Sequence, residues 1–439
     1  MSTQGSRNSR FSGFYQLSPA QRRQALADAG FLSADDVQLL ESTGSVVDQA
    51  LADSMIENVI GVFELPIGVG LNFQINGKDY VVPMVVEEPS IVAAVSHVAQ
   101  IVRESGGFDV EVDEAIMIGQ VQVMGLSDAR EAAAILESNA QRLIDEANER
   151  EPGMKRRGGG AVGVEVRALM GDAPDPRRDM VIVHLLVDCK DAMGANLINT
   201  MAEAIAPTIE ALTGGVVSLR ILSNLADRRR VRARCRIPAA QLAWKDYDGE
   251  TVLNGILRAA EFAERDPWRA ATHNKGIMNG IDAAAIATGQ DWRAIEAGAH
   301  AWVGLRESYG PIARWWRDGD HLVGELDIPM AVGIVGGPTR LHPTVKAMLR
   351  MLDIQDAREL AAVLGAVGLA QNLGAIKALG TTGIQKGHMA LHARSVAATA
   401  GAVDDEVNAI ADALIATGDI KVNRAQELLR AHRARGAHA

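Results

Sequence analysis

The sequence predicts an α+β protein: a mainly helical large domain, an inserted ferredoxin-like domain and a small helical flap toward the C-terminal end. Three observations carry this. From Ala115 to Leu222 the pattern reads strand, helix, strand, strand, helix, strand, the βαββαβ order of an antiparallel sheet with both helices on one face. The stretches on either side are mostly helical patterns with capping residues at their starts. Gly380-Thr-Thr-Gly383 then breaks a long apolar helix, and three short helical patterns follow, Ile384 to Thr399, Asp404 to Thr417 and Asn423 to Arg433. The expected boundaries are 1–112 and 225–378 for the large domain, 113–224 for the insert and 379–439 for the flap.

Taken in order, Ser18-Pro-Ala-Gln21 and Ser33-Ala-Asp-Asp36 each pair a capping hydroxyl with a side chain three residues on, so two helices open the fold. A third is expected from about Val47 into Glu57-Asn58. Asn76-Gly77 tolerates the positive φ of a type I′ turn, so the residues around it form a hairpin that delivers Glu87 and Glu88. Pro89 lacks a backbone donor and Ser90 can cap, so a helix runs from there to Arg103 and leaves both glutamates at its N-terminal mouth. They serve either the helix dipole or a site.

In the insert, strand Ile116 to Met124 leads to a helix from Asp128 to about Arg150. Strands Val162 to Leu169 and Met180 to Val187 are joined by a turn at Gly171 to Pro176, and helix Gly194 to Leu212 precedes strand Val216 to Leu222. Gly158-Gly-Gly160-Ala-Val-Gly163 spells G-x-G-x-x-G, yet it follows a helix and enters β-branched residues, so it is rejected as a phosphate fingerprint. Asp191-Ala-Met193-Gly194-Ala-Asn196 sits where a strand meets a helix. Either its free amides meet a pyrophosphate or Asp191 is an ordinary cap. After Asn224 come a helix from Gly249 to Glu264, a helix from Trp292 to Val303, a β segment around His321 to Val335 and helices from His342 on.

Composition bounds the function. At 439 residues, 48% apolar and 23% charged, the chain has the make-up of a globular protein of several domains. Its net charge of −11 argues against a nucleic-acid binder, and Lys155-Arg156-Arg157 and Arg228-Arg229-Arg230 read first as solvated faces. Cys189 and Cys235 sit in apolar strand-like runs, which fits a reducing cytoplasm and supports neither a disulfide framework nor a thiolate metal cluster. No charged leader with an apolar core opens the chain. The longest uncharged run, Leu360 to Ile376, carries Gln371 and Asn372 and is expected to be a buried helix, with no membrane partner.

The chemistry concentrates between Asp266 and Glu296, where Arg269, His273, Asn274, Lys275, Asn279, Asp282 and Asp291 are set among small and apolar residues. Gly276 and Gly280 bracket Lys275 and Asn279 as if backbone passed close to something. The choice lies between a capped helix with a surface lysine and a site in which Lys275, paired with Asp291, stabilises an oxyanion. His388 and His392 lie one helical turn apart, but no Glu stands between them and no third ligand is evident, so no metal is expected.

This segment, together with Glu87-Glu88-Pro89-Ser90, Glu57-Asn58-Val59-Ile60-Gly61, Asp191-Ala-Met-Gly-Ala-Asn196 and Gly387-His388-Met389, resembles hydroxymethylglutaryl-coenzyme A reductase of the soluble bacterial class. The likeness covers nearly the whole chain in order. It implies a thioester reduced to an alcohol by two hydrides, with hydroxymethylglutaryl-CoA, mevalonate and coenzyme A as ligands. In that reading Lys275 stabilises the oxyanion and is held by Asp291, Glu88 gives a proton to the aldehyde, and His388 protonates the departing thiolate. Ser90, Asn224, Asn279 and Gln371 surround the acyl group, and Arg269 clamps the substrate carboxylate.

Asp191, Met193, Gly194 and Asn196 would bind the nicotinamide cofactor. Glu151 stands where NAD-preferring relatives carry an aspartate, which favours NAD (NADH), while the basic run after it keeps NADP possible. The Glu57 to Gly61 motif implies a homodimer or larger oligomer with the active site at the subunit interface. Two competing readings are a non-catalytic CoA- or nucleotide-binding oligomer of the same fold and a generic dehydrogenase. The second requires a strand, glycine loop and helix fingerprint that the sequence lacks.

Overall fold

Ser18 and Ser33 accept hydrogen bonds from the amides of Gln21 and Asp36, whose side chains reach back to the capping amides, and these boxes start α1 (Pro19–Asp28) and α2 (Ala34–Glu41). The computed structural model describes residues 7–42, 46–171, 179–381 and 384–436, with the backbone alone at 338, 384–391 and 436. α3 (Gln49–Met55) ends before Glu57, earlier than expected, and residues 56–66 continue with neither helix nor strand. The hairpin of β1 (Ile67–Ile75) and β2 (Lys78–Val85) turns at Asn76 and Gly77, whose φ values are 49° and 79°. α4 (Ile91–Glu104) follows, but Ser90 makes no capping bond. Its φ is 75°, and a capping side chain needs the extended backbone that this residue does not have.

β3 (Asp109–Val112) precedes the insert, which begins with β4 (Ile116–Met124). The long helix expected next is two, α5 (Ala129–Ser138) and α6 (Ala140–Arg150). Asn139 divides them, its side chain donating to the Ile135 carbonyl at 2.8 Å and competing with the helix ladder. α7 (Pro152–Arg156), β5 (Gly160–Leu169), β6 (Met180–Asp188), α8 (Ala195–Thr213) and β7 (Val216–Ser223) complete the unit. Most of the turn expected between β5 and β6, residues 172–178, lies outside the described residues.

The sheet order is β5-β6-β4-β7 with each pairing antiparallel, which is the βαββαβ plan and excludes a doubly wound sheet. One apolar core lies between the sheet, through Val121, Val183 and Leu185, and the helices, through Leu136, Leu143 and Ile198. The rejected glycine motif has a packing explanation. A Cβ on Gly159 would stand 2.6 Å from the Asp188 carbonyl and one on Gly160 would stand 2.3 Å from Asn148 Oδ1, so these glycines let β5 and the α7 turn close on their neighbours.

Beyond Ser223 the large domain is less purely helical than its pattern indicates. β8 (Arg230–Pro238) joins β9 (Ala313–Asp318) and β10 (His321–Pro329) in a sheet of order β3-β8-β10-β9. Helices α9 (Gly249–Arg265), α10 (Pro267–Ala287) and α11 (Trp292–Gly304) lie between β8 and β9 in the chain. After α12 (Pro338–Leu341) and α13 (Pro343–Leu352) comes α14 (Ala357–Leu379), which packs against α4, α9, α10 and β8 at the centre of the largest core. Among the described residues α14 alone is long and apolar enough to cross a membrane, and 83% of its apolar window is buried inside the fold. α15 (Ile384–Thr399), α16 (Asp405–Thr417) and α17 (Val422–Gly436) form their own small core around Ala397, Ile410 and Leu429.

Candidate active site

Asp266 caps α10 by accepting from the Arg269 amide at 2.8 Å, Pro267 occupies the first turn, and the helix then runs unbroken for 21 residues. Gly276 and Gly280 therefore lie inside a helix and not in a loop. What passes close is α14: a Cβ on Gly280 would stand 2.8 Å from the Gln371 Cβ, whereas one on Gly276 would meet only ordinary contact at 3.9 Å from Ala375.

Lys275 and Asn279, four residues apart, project from one side of α10 and converge on a single acceptor. Lys275 Nζ lies 2.8 Å from Glu88 Oε2, and Asn279 Nδ2 donates to the same oxygen at 3.5 Å. Glu88 is carried there by the segment leaving β2, which packs on α10. The side chains of Lys275 and Glu88 remain 61% and 41% exposed, so both are open to a ligand. The expected pairing of Lys275 with Asp291 is not present. Asp291 caps α11, accepting from the Ala294 amide at 3.1 Å, and stands 3.7 Å from Arg293. A helix start supplies this carboxylate with a donor of its own, so the counter-charge for the lysine comes from Glu88, distant in sequence.

Others of the residues named from the sequence have unmet hydrogen-bonding capacity. Ser90 Oγ and Gln371 Oε1 are buried without a hydrogen-bond partner among the described residues. Arg269 is half-buried, which depresses its pKa, and no described carboxylate lies within ion-pair distance of it. Asn224 is exposed at the flank of α11, its carbonyl 2.7 Å from where a Cβ on Gly298 would be.

His273 and Asn274 turn inward and serve the fold. Burial first, then the Arg269 charge, takes the His273 imidazole down to about 4, and its Nε2 meets the Asn372 amide at 3.0 Å. Asn274 donates to Tyr309 and to the Gly310 carbonyl at 3.0 Å each and accepts from the Ile312 amide at 2.8 Å.

At the start of α8, Gly194 has a φ of 104° and no side chain caps the helix, so its first-turn amides have no side-chain acceptor. A Cβ on Gly194 would lie 2.4 Å from Cys189 Sγ, so no larger residue fits there. Asp191 is not the cap of α8, because its carboxylate accepts from the Ala357 amide at 3.0 Å and so holds the start of α14. Met193 is half-buried, Asn196 is exposed, and Glu151 lies half-buried at the junction of α6 and α7. An uncapped 19-residue helix behind an accessible loop fits the diphosphate of a dinucleotide.

A family model described as hydroxymethylglutaryl-coenzyme A reductase matches residues 18–393. The chain belongs to that family. It is 47% identical to 3-hydroxy-3-methylglutaryl-coenzyme A reductase of Archaeoglobus fulgidus over 426 residues, covering 96% of this chain and 94% of that one. It is 33% identical to a probable reductase of Borreliella burgdorferi, over 78% and 77% of the two chains. In structure it resembles the Streptococcus pneumoniae reductase at a TM-score of 0.82 and 40% identity, covering 96% and 99%. The class II form of that reductase, described as bound to NADPH in open conformations, matches at a TM-score of 0.80 and 40% identity, covering 95% and 100%.

Of the reductase residues named from the sequence, the structure brings together Glu88, Lys275 and Asn279, with Gln371 packed against the next turn of α10. It groups Asp191, Met193, Gly194 and Asn196 at the start of α8. The side chain of His388, in α15, lies outside the described residues, as do Thr382 and Gly383 of the expected hinge. Two features escaped sequence reasoning. Arg229 was read with a solvated run, yet it is 3% exposed. Asp282, Glu296 and His300 form a chain of side-chain contacts, with Glu296 2.8 Å from His300. Strand alternation across Arg229 to Ile237 was the available signal for the first, and the i, i+4 spacing of Glu296 and His300 for part of the second.

Proposed function

We propose that this reductase interconverts hydroxymethylglutaryl-CoA with mevalonate and coenzyme A through two successive hydride transfers. The observation that carries the reading is the convergence of Lys275 and Asn279 on one Glu88 oxygen, with Ser90 Oγ and Gln371 Oε1 left without hydrogen-bond partners among the described residues. Lys275 donates to the thioester oxygen as negative charge builds there in the first reduction, and again to the aldehyde oxygen in the second. Arg269 takes the free carboxylate of the substrate in a two-pronged bond. Between the reductions the carbon–sulfur bond breaks, and His388 gives its proton to the coenzyme A thiolate. Glu88, oriented by Lys275 and Asn279, passes a proton to the alkoxide of the second step. The nicotinamide, when bound, supplies a hydride in each reduction, so one turnover consumes two reduced cofactors and two protons. Run in reverse, the same groups oxidise mevalonate.

The loop 191–194 and the start of α8 support a dinucleotide site, and Glu151 supports NAD, because a carboxylate accepts ribose hydroxyls and repels a 2′-phosphate. Against a strict preference stand the NADPH-bound S. pneumoniae relative and the basic Lys155 to Arg157 run. We assign 113–224 to the cofactor and 379–439 to a flap over the thioester, in a cytoplasmic homodimer. The test follows the near-ultraviolet absorbance of the reduced nicotinamide with hydroxymethylglutaryl-CoA, then with mevalonate plus coenzyme A, using each cofactor. Cofactor oxidation that depends on the thioester is expected. A protein that binds coenzyme A yet turns over in neither direction would instead be a non-catalytic oligomer.

A further inference from the structure

Arg229 lies between β7 and β8 and is 3% exposed, yet no described carboxylate is within ion-pair distance of its guanidinium. The guanidinium is spent on backbone. One nitrogen donates to the carbonyls of Ala192 at 3.1 Å and Met193 at 3.4 Å, and the other to the carbonyl of Val332. Taking such a cation out of water is costly, and three backbone acceptors from two separate segments hold it in one place. Those segments are the loop that opens α8 and the extended chain after β10. They are also joined by the Ile334 amide donating to the Asp191 carbonyl at 2.8 Å and by a bridge between Ala192 and Val335. They pack so tightly that a Cβ on Gly333 would stand 2.4 Å from the Met193 nitrogen. The Arg229 backbone is itself fixed, its amide to Ala226 at 3.0 Å and its carbonyl from Met330 at 2.9 Å.

We propose that Arg229 is a positioning residue of the nicotinamide site, clasping the 191–194 loop so that the uncapped amides of α8 face the cofactor diphosphate, while its own charge, offset in part by the nearby but non-contacting carboxylates of Asp188 and Asp191, favours that anion. This rests on the assignment of the cofactor to this loop. Fixed donors at a helix start bind an anion well only if the loop before them does not move. A cation buried beneath the loop acts through protein and not through water, so its attraction is little screened.

The test uses the full chain with Arg229→Met, Arg229→Lys and Gly333→Ala, the last pressing on the Met193 amide while Arg229 stays in place. Kd for NADH and NADPH is read by nicotinamide fluorescence, alongside Kd for coenzyme A and the thermal midpoint. Loss of charged hydrogen bonds of this kind predicts a cofactor Kd raised roughly 10- to 100-fold in Arg229→Met. Arg229→Lys, which keeps the charge and fewer bonds, should fall between it and the parent, and coenzyme A affinity should stay within about twofold. If Arg229→Met does not fold, the other two variants decide. Unchanged cofactor affinity in folded variants overturns the proposal, as does an equal loss for cofactor and coenzyme A, which would mean general loosening. If the parent binds neither dinucleotide, the cofactor assignment itself fails.

Discussion

Lys275 and Glu88 meet across 187 residues of sequence, and the distance between their charged atoms, 2.8 Å, is that of a charge-assisted hydrogen bond. Because both side chains are substantially exposed, the pair matters for what it offers a ligand more than for stability. Lys275→Ala should therefore abolish reduction of both the thioester and free mevaldehyde, by a factor on the order of 10² to 10³ each, with little change in thermal midpoint. Retained mevaldehyde reduction would remove the lysine from the second step. The proposed role of Glu151 in cofactor choice is tested at the same scale. Glu151→Ala is expected to raise kcat/KM with NADPH relative to NADH, and an unchanged ratio would mean another group makes the choice. Asp282 behaves differently, because burial first, then the hydrogen bond and charge of Glu296, pushes its carboxyl from 3.8 up to about 8. Glu296 is held low, chiefly by its bond to His300. Between 3.8 and about 8 the folded chain keeps a proton on Asp282 that the unfolded chain releases, so its stabilising contribution is full below that window and falls as pH rises through it. Asp282→Asn still donates to Glu296 but cannot ionise. Denaturant midpoints taken at about pH 5 and about pH 8 should differ less in the variant than in the parent, and equal differences would mean Asp282 ionises at its ordinary value.

At the scale of elements, local chemistry was readable wherever it had one dominant cause. Asn76-Gly77 made its turn and the serine boxes started α1 and α2. The βαββαβ order emerged with the expected sheet because its four strands are each eight to ten residues long and separately bounded. The readings that failed are those in which two local rules competed. Ser90 has the chemistry of a cap and the backbone of a left-handed residue, Asp291 was claimed by its own helix before Lys275, and Asn139 cut a helix that periodicity alone runs through. β8 is legible only as the strand-like run around Cys235, because its alternation places arginines between the small apolar residues and its first residues read as part of a solvated arginine run. Within the candidate site, Lys275, Asn279 and Glu88 are named through motifs and the resemblance they carry, while the identity of the lysine's partner is a tertiary fact that no spacing encodes. For α15 the prediction concerns timing. Protonating a thiolate matters only once, so His388→Gln should cripple hydroxymethylglutaryl-CoA reduction by about 10² or more while sparing mevaldehyde, which has no thiolate to expel. Equal losses in the two assays would make His388 a general organiser of the site.

At the scale of the whole molecule, residues 56–66 hold several apolar side chains that no described residue of the single chain covers. Ile60 is 100% exposed, Phe63 87% and Ile56 65%, while the segment forms neither helix nor strand on its own. Burying one such side chain contributes roughly 1.5 to 3 kcal/mol, so leaving three in water is a standing cost that a second copy would remove. The segment also runs directly into β1, whose hairpin partner β2 leads to Glu88, so a partner seated on 56–66 would bear on the position of the carboxylate that holds Lys275. This uncovered run supports the proposed homodimer, and with it a dependence of turnover on assembly. Ile60→Asp combined with Phe63→Asp places two charges in the uncovered run without touching Glu88, Lys275 or the α8 loop. Light scattering should report a monomer in place of the parent assembly, and turnover should fall at least as steeply as the oligomer fraction on dilution. A variant that is monomeric and fully active would separate assembly from catalysis, and a variant that keeps the parent mass would place the interface elsewhere on the surface.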